Sequence, residues 1–330
     1  MANQFFGPSN PAEDAGYLDP PKRKGFFTDT SICIGCKACE VACKEWNAVP
    51  EDGLGLTGHS YDNSVGLGAS TWRHVAFIEQ SADSSSHQGM DVLALAGQPD
   101  HRQAPDPGGA GDLSVELGMP TWVLPGADTA AEQREPFRWL MESDVCKHCT
   151  HAGCLDVCPT GALFRTEFGT VVVQNDICNG CGYCIPACPY GVIDRRDGPS
   201  VDPAVGIAQK CTLCYDRLKG DLEPACAKAC PTKSIQFGEL DQLRERARDR
   251  LDTLTGNGAR GAQLYGEDPG DGVGGAGAFF LLLDRPEVYG LPPDPIVATK
   301  HLPRMWRRAG LAALTLLAAA AATFAGESRR

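Results

Sequence analysis

The pattern of apolar and polar positions predicts few regular elements along this chain. Trp72 to Ile78 is a short strand-like run. Leu240, Leu243, Ala247, Leu251 and Leu254 recur at helical spacing with charges between them, and Gly256 stands where a C-terminal cap is expected. Gly272-Val273-Gly274-Gly275 follows no strand pattern and opens no helix, so it reads as a turn. The apolar run Ala278 to Leu283 after it reads as a second strand, and a Pro-rich connector follows.

The last apolar stretch, residues 309–326, reads AGLAALTLLAAAAATFAG. At 1.5 Å per residue a helix of this length rises about 27 Å, enough to span a hydrocarbon core. Arg304, Trp306, Arg307 and Arg308 precede it, and Arg329 and Arg330 follow, a composition that suits a membrane interface. A single membrane anchor over residues 304–330 is therefore expected, with basic residues at both ends leaving its orientation open. The competing reading is an alanine-rich helix packed on protein. At the other end, residues 1–25 are polar and rich in Pro and Gly, which predicts an extended arm. They carry no apolar run of the export-signal kind, so no signal peptide is expected. Residues 81–136, rich in Ser, Gly, Pro, Asp and Ala without periodicity, read as a partly disordered surface insertion.

Composition changes the picture. The 330 residues include 38 Gly and 24 Pro, a loop-rich balance. The formal net charge of -12 gives little attraction to nucleic acid, and no nucleic-acid partner is expected. The 16 cysteines divide into four groups of four with none left over. Metal sites explain such arithmetic better than disulfides, which require only pairs.

Group one is Cys33, Cys36, Cys39 and Cys43. Group three is Cys178, Cys181, Cys184 and Cys188, followed by Pro189. Both have the C-x2-C-x2-C-x3-C spacing of bacterial ferredoxins. Group two, Cys146, Cys149, Cys154 and Cys158 before Pro159, is wider in the middle. Group four, Cys211, Cys214, Cys226 and Cys230 before Pro231, is wider still. Three closely spaced cysteines wrap one face of a [4Fe–4S] cubane, and the fourth begins a turn that leads away to the other cluster. The proline after it redirects the chain; group one has Lys44 there instead.

Groups two and three are neighbours in sequence and should form one two-cluster unit. Cys146, Cys149, Cys154 and Cys188 would hold one cluster; Cys158, Cys178, Cys181 and Cys184 would hold the other. By elimination, Cys33, Cys36, Cys39 and Cys230 hold a third, and Cys43, Cys211, Cys214 and Cys226 a fourth. The rival reading is a set of zinc knuckles in a structural protein, since CxxC pairs also bind zinc. Two 2-2-3 spacings and three Cys-Pro endings argue against it.

Lys37, Lys147, Lys210 and Lys228 sit beside these cysteines, where positive charge would raise a cluster's potential unless the lysines are merely solvated. His148 and His151 read as surface or partner-facing residues, since the cysteine complement is already full. Ile34, Ile177 and Ile185 read as shields against water. No phosphate-binding loop, catalytic triad or paired-carboxylate site accompanies them, so no catalytic residue is expected.

The four-group order, with CIGCKACEVACKEWN, CKHCTHAGCLDVCPTGA, CNGCGYCIPACPYGV and KCTLCYDRLKGDLEPACAKACPTKSIQFG, resembles the electron-transfer subunits of molybdopterin oxidoreductases. ASTWRHVAFIE, LYGEDPGDGVGGAGAF and YGLPPDP narrow it: the chain is most similar to the iron–sulfur beta subunit of membrane-bound respiratory formate dehydrogenase. The resemblance covers most of residues 26–326, and the stretch 81–136 is longer than the family's usual connection. It implies a non-catalytic relay through four [4Fe–4S] clusters. Electrons would pass from a catalytic subunit with a molybdenum or tungsten pterin towards a membrane cytochrome b and quinone. The cysteine pattern alone leaves open a relay for a nitrate, dimethyl sulfoxide or polysulfide reductase, or a hydrogenase.

The expected architecture is α+β, with two ferredoxin-like double-cluster modules. Residues 26–50 and 205–240 make the first and 141–204 the second. Residues 51–140 connect them, 239–303 add a helix, a strand and the Pro-rich connector, and 304–330 anchor the chain in the cell membrane.

Overall fold

Phe26 and Phe27 are adjacent, fully buried, and belong to different apolar clusters on opposite faces of one strand. The computed structural model describes residues 10–52, 62, 64, 66–81, 137–199, 202 and 204–327. Their elements begin with the helical turn α1 (Pro11–Asp14), strand β1 (Lys24–Asp29), helix α2 (Ala38–Trp46) and strands β2 (Arg73–Ser81) and β3 (Phe137–Val145). Next come α3 (Gly153–Asp156), β4 (Leu163–Arg165), β5 (Val171–Val173), α4 (Cys184–Ala187), β6 (Asp194–Arg195) and β7 (Ala208–Gln209). Last are α5 (Tyr215–Lys219), α6 (Ala225–Ala229), β8 (Ile235–Glu239), α7 (Leu240–Gly256), β9 (Gln263–Tyr265), β10 (Ala278–Leu282) and α8 (Leu302–Glu327).

The main sheet has the order β8-β1-β10-β9. β1 runs parallel to β10, with Phe27 opposite Phe279, and antiparallel to β8. Phe27, Phe279 and Leu281 pack against Leu240, Leu243 and Ala247 of α7, and the Phe27 and Phe279 rings stack with centroids 5.3 Å apart. Phe26 and Ala278, the alternate residues, join a core that includes Cys39, Cys146, Cys211, Cys226 and Cys230. One face of the sheet thus carries a helix and the other meets the cysteines. A Cβ at Gly25 would collide with the Gly277 carbonyl, so this close approach requires glycine.

The helix expected from Leu240 to Leu254 is α7, but Gly256 is its last residue rather than its cap. Asn257 caps it, and Gly258, at φ +92°, is the left-handed residue beyond. Strand β2 starts one residue after Trp72 and reaches Ser81, and β10 stops at Leu282. In place of an extended arm, residues 10–25 contain α1 and the start of β1. Asn10 accepts from the Ala12 N–H, and Pro11 opens the turn, a sound N-terminus. Residues 1–9 and 82–136 lie outside the described residues, and with them the expected insertion.

Residues Met1–Ile78 with Leu140–Arg330 form one compact unit, and Glu79–Trp139 a second. In the second, Arg138 Nε donates to Gln80 Oε1 at 2.7 Å. In the first, the turn Ala298–His301 packs on α3, where Thr299 donates to Asp156 and Lys300 to the Asp271 carbonyl. Helix α8 follows, with Leu311, Leu314, Leu316, Leu317 and Phe324 all exposed. Among the described residues, one helix, Ala298–Phe324, is long and apolar enough to cross a membrane, by length and composition.

Candidate metal centres

The four cysteine groups share a turn that their spacings conceal. The residue two after each first cysteine is left-handed: Gly35 (φ +64°), His148 (+45°), Gly180 (+70°) and Leu213 (+57°). In groups one and three glycine takes this conformation without strain, whereas His148 and Leu213 bear its cost. At Gly180 a Cβ would also collide with the Gly206 carbonyl. A second shared turn follows the Cys-Pro steps. Gly161, Gly191 and Lys233 are left-handed, and their N–H groups donate to the carbonyls of Cys158, Cys188 and Cys230.

The fourth cysteine does not begin a helical turn, as its spacing suggested. Cys184 starts α4 and Cys188 ends it; Cys226 lies in α6 and Cys230 ends it. Helix α2, with Cys39 and Cys43, packs against α6. Helix α3, with Cys154, packs against α4.

Cys33, Cys36, Cys39 and Cys230 line one cavity. Cys146, Cys149, Cys154 and Cys188 line another. The Cys43 thiol is pushed well up by burial, then by the charges of Cys211, Cys226 and Cys214 beside it. Burial, and then a backbone hydrogen bond opposed by the charges of Cys178, Cys181 and Cys158, leave Cys184 at about 11. Burial also lifts Cys39 to about 11 and Cys154 to about 12. Such thiols ionise only when a metal displaces the proton. Cys158 is the opposite case. The N–H groups of Leu163, Thr160 and Ala162 and the Thr160 hydroxyl outweigh burial and lower its pKa.

The surroundings fit an anionic, sulfur-bridged group. Arg73 is fully buried, and its Nη1 donates to the Ser143 carbonyl at 3.1 Å and hydroxyl at 2.9 Å. Its Nε and Nη2 have no partner among the described residues. Burial disfavours its charge, but Cys226, Cys39, Cys211 and Cys43 around it outweigh that and raise its pKa. In the second cavity His148 Nδ1 accepts from the Val171 N–H at 3.1 Å, which leaves the proton on Nε2, itself without a partner among the described residues. Orphan buried donors beside thiols are what a cluster's sulfurs would satisfy. Among the described residues no three His, Cys, Asp or Glu close around a single ion, as a mononuclear zinc site requires.

Several flanking residues differ from expectation. His148 is buried, not at the surface, with its ring against the Val171 N–H of β5. Burial, then Lys210, Arg165 and Arg23, keep it neutral. His151 is half-buried under the turn at Gly274, and its backbone N–H donates to the Val273 carbonyl. Ile34, although exposed on its outer side, lines the first cavity beside Cys33 and Cys36; Ile177 is exposed and Ile185 partly buried. Of the four lysines, Lys147 and Lys210 are buried and Lys228 is solvated. Lys147 is paired with Asp144, and Lys37 with Asp62 at 3.1 Å and Glu40 at 3.5 Å. Lys210 donates to the carbonyls of Val171 and Cys211. Arg73 carried no motif in the sequence.

Residues 137–240 match a family described as the 4Fe-4S dicluster domain, and residues 32–162 match a second family of the same description. The chain is 35% identical over 271 residues to the formate dehydrogenase iron–sulfur subunit of Haemophilus influenzae, covering 81% of this chain and 68% of that one. It is 34% identical over 304 residues to the iron–sulfur subunit of the nitrate-inducible formate dehydrogenase of Escherichia coli, covering 90% and 81%. The B subunit of the anaerobic dimethyl sulfoxide reductase of Escherichia coli is 30% identical over 225 residues, 68% of this chain and 78% of that one. With sixteen cysteines in dicluster domains, this is a four-cluster [4Fe–4S] electron-transfer protein, a non-catalytic subunit of an oxidoreductase complex. The chain belongs to the family of formate dehydrogenase iron–sulfur subunits.

Proposed function

We propose that the chain relays electrons from a molybdenum- or tungsten-pterin subunit oxidising formate to a membrane cytochrome b, through two crossed pairs of clusters. Site 1 is Cys33, Cys36, Cys39 and Cys230; site 2 is Cys43, Cys211, Cys214 and Cys226. Site 3 is Cys146, Cys149, Cys154 and Cys188; site 4 is Cys158, Cys178, Cys181 and Cys184. Sites 1 and 2 make one ferredoxin-like module, and sites 3 and 4 the other. Each bound cluster supplies one reversible electron transfer.

The observation that carries this reading is the succession of neighbouring cysteines. Cys39 of site 1 acts electrostatically with Cys226 of site 2, Cys211 of site 2 with Cys146 of site 3, and Cys154 of site 3 with Cys184 of site 4. This succession supports the order of sites 1, 2, 3, 4. Exposed cysteines occur at the two ends, Cys36 in site 1 and Cys181 in site 4, while all four cysteines of site 2 are buried. Protein covers the middle of the path and leaves its ends accessible to partners. The turn leading into α8 is fastened to Asp156, between Cys154 and Cys158. That attachment favours site 4 as the membrane end and site 1 as the end facing the pterin subunit, with α8 as a single-pass anchor.

The test is a reduction experiment on anaerobic membranes containing the assembled complex. Formate is expected to bring up the paramagnetic signals of the reduced clusters to most of the level that dithionite reaches. Dimethyl sulfoxide is expected to leave those signals in place. If dithionite produces them and formate does not, formate is not the donor. Reoxidation by dimethyl sulfoxide would assign the relay to a reductase instead.

A further inference from the structure

Arg73 is a buried cation on which cysteines of the first two proposed sites act. It projects from β2 into the core on the inner face of the sheet, with its Cζ 5.0 Å from the centroid of the Phe26 ring. Nη1 is held by Ser143, whose hydroxyl lies 3.2 Å from Cys39 Sγ. Nε and Nη2 have no partner among the described residues. The thiols that act on the guanidinium come from both sites: Cys39 from site 1, and Cys226, Cys211 and Cys43 from site 2.

Two other cations of this region are balanced differently. Lys37 is ion-paired with Asp62 and Glu40. Arg217 lies over the Trp46 ring at 4.2 Å and gives its Nε to the Glu223 carbonyl. Glu142, an acid that interacts with Arg73 electrostatically, is fully buried. Neither of its oxygens has a partner among the described residues, and burial holds it in the neutral form. A buried, unpaired guanidinium is strongly unfavourable unless a negative group compensates it. Here the available compensation is cluster charge from two sites at once.

We propose that Arg73 is the shared counter-charge of the clusters at sites 1 and 2, donating through Nε and Nη2 to their sulfurs and holding both reduction potentials up. The inference rests on the ligand sets proposed above. Reduction adds one electron and one negative charge to a cluster with no proton moved, so a fixed adjacent cation stabilises the reduced form. Arg73 is in this sense a positioning residue for electron transfer and forms no bond to iron.

The experiment is a redox titration of all four clusters, followed by electron paramagnetic resonance, in the assembled complex carrying Arg73, Arg73→Lys or Arg73→Gln. Iron is counted in each sample. In R73Q, two midpoints are expected to fall to more negative values while the other two stay in place and iron remains at about 16 per chain. R73K keeps the charge and is expected to retain most of the wild-type midpoints. Unchanged midpoints in R73Q with full iron would overturn the proposal. So would an equal fall in R73K and R73Q, since charge would then not be the cause. Fewer than four titrating clusters in the wild type would instead overturn the ligand sets. Should R73Q fail to assemble, electron spin-echo spectra of wild type grown on heavy-nitrogen arginine decide the matter. Nitrogen coupling is expected on two cluster signals and is lost from both in R73K; no coupling on any cluster would refute the contact.

Discussion

Replacing Cys158 and Cys181 together by alanine will remove no more clusters than replacing either alone. In the proposed arrangement both hold site 4, although Cys158 belongs by sequence to group two and Cys181 to group three. Each single variant should lose one [4Fe–4S] cluster of four, and the double variant should lose the same one. Residues that act as a unit are non-additive in this way. If Cys158 instead completed the set of Cys146, Cys149 and Cys154, the double variant would lose two clusters. Cys188→Ala combined with Cys149→Ala provides the matching case for site 3. Counting four-iron clusters by Mössbauer spectroscopy or spin quantitation gives the answer directly. Electron flow from formate to quinone should fall to background in every one of these variants, because sites 3 and 4 lie in series.

The second large effect concerns α8. Its 26 residues extend roughly 39 Å. Leu311, Leu314, Leu316, Leu317 and Phe324 are 64 to 72% exposed, a continuous apolar surface that water does not favour. A bilayer would cover it, with Trp306, Arg307 and Arg308 at the interface. Expressed as an isolated subunit, the full chain should stay with membranes through alkaline carbonate extraction. A chain ending at Pro303 should appear almost wholly in the soluble fraction with its iron intact, since the cysteines all precede that residue. Release of the full chain by carbonate would exclude a spanning helix and favour α8 packing on a partner protein.

Much of the site was legible because cluster ligands are short-range motifs. The cysteine spacings of groups one and three depend only on a local loop, and that loop is visible in the glycines at 35 and 180. Groups two and four use the same left-handed turn at His148 and Leu213, where no glycine announces it. The helix from Leu240 was legible in its local periodicity, and the strands at Arg73 and Ala278 in short apolar runs. What was hidden depends on distant parts of the chain meeting. The parallel pairing of β1 with β10 joins residues more than two hundred positions apart, and no local pattern encodes it. β3 was hidden because its sequence, FRWLMESDV, mixes charges with apolar residues; in the fold Glu142 and Ser143 are buried. Arg73 was hidden with it, since its environment exists only once β2, α2 and α6 are together. His148 looked like a surface residue because histidine beside a cysteine carries no sign of burial. The dicluster families follow the chain from group one to group two and from group two to group four. The packing of α2 on α6 joins the first group to the last.

The central claim is that the sixteen cysteines carry four cubane clusters that move electrons singly. Metal and acid-labile sulfide analysis of the anaerobically purified chain, read with its Mössbauer spectrum, tests it most directly. The account predicts about 16 iron and about 16 sulfide per chain, all in [4Fe–4S] form. About four zinc per chain with neither iron nor sulfide would contradict it.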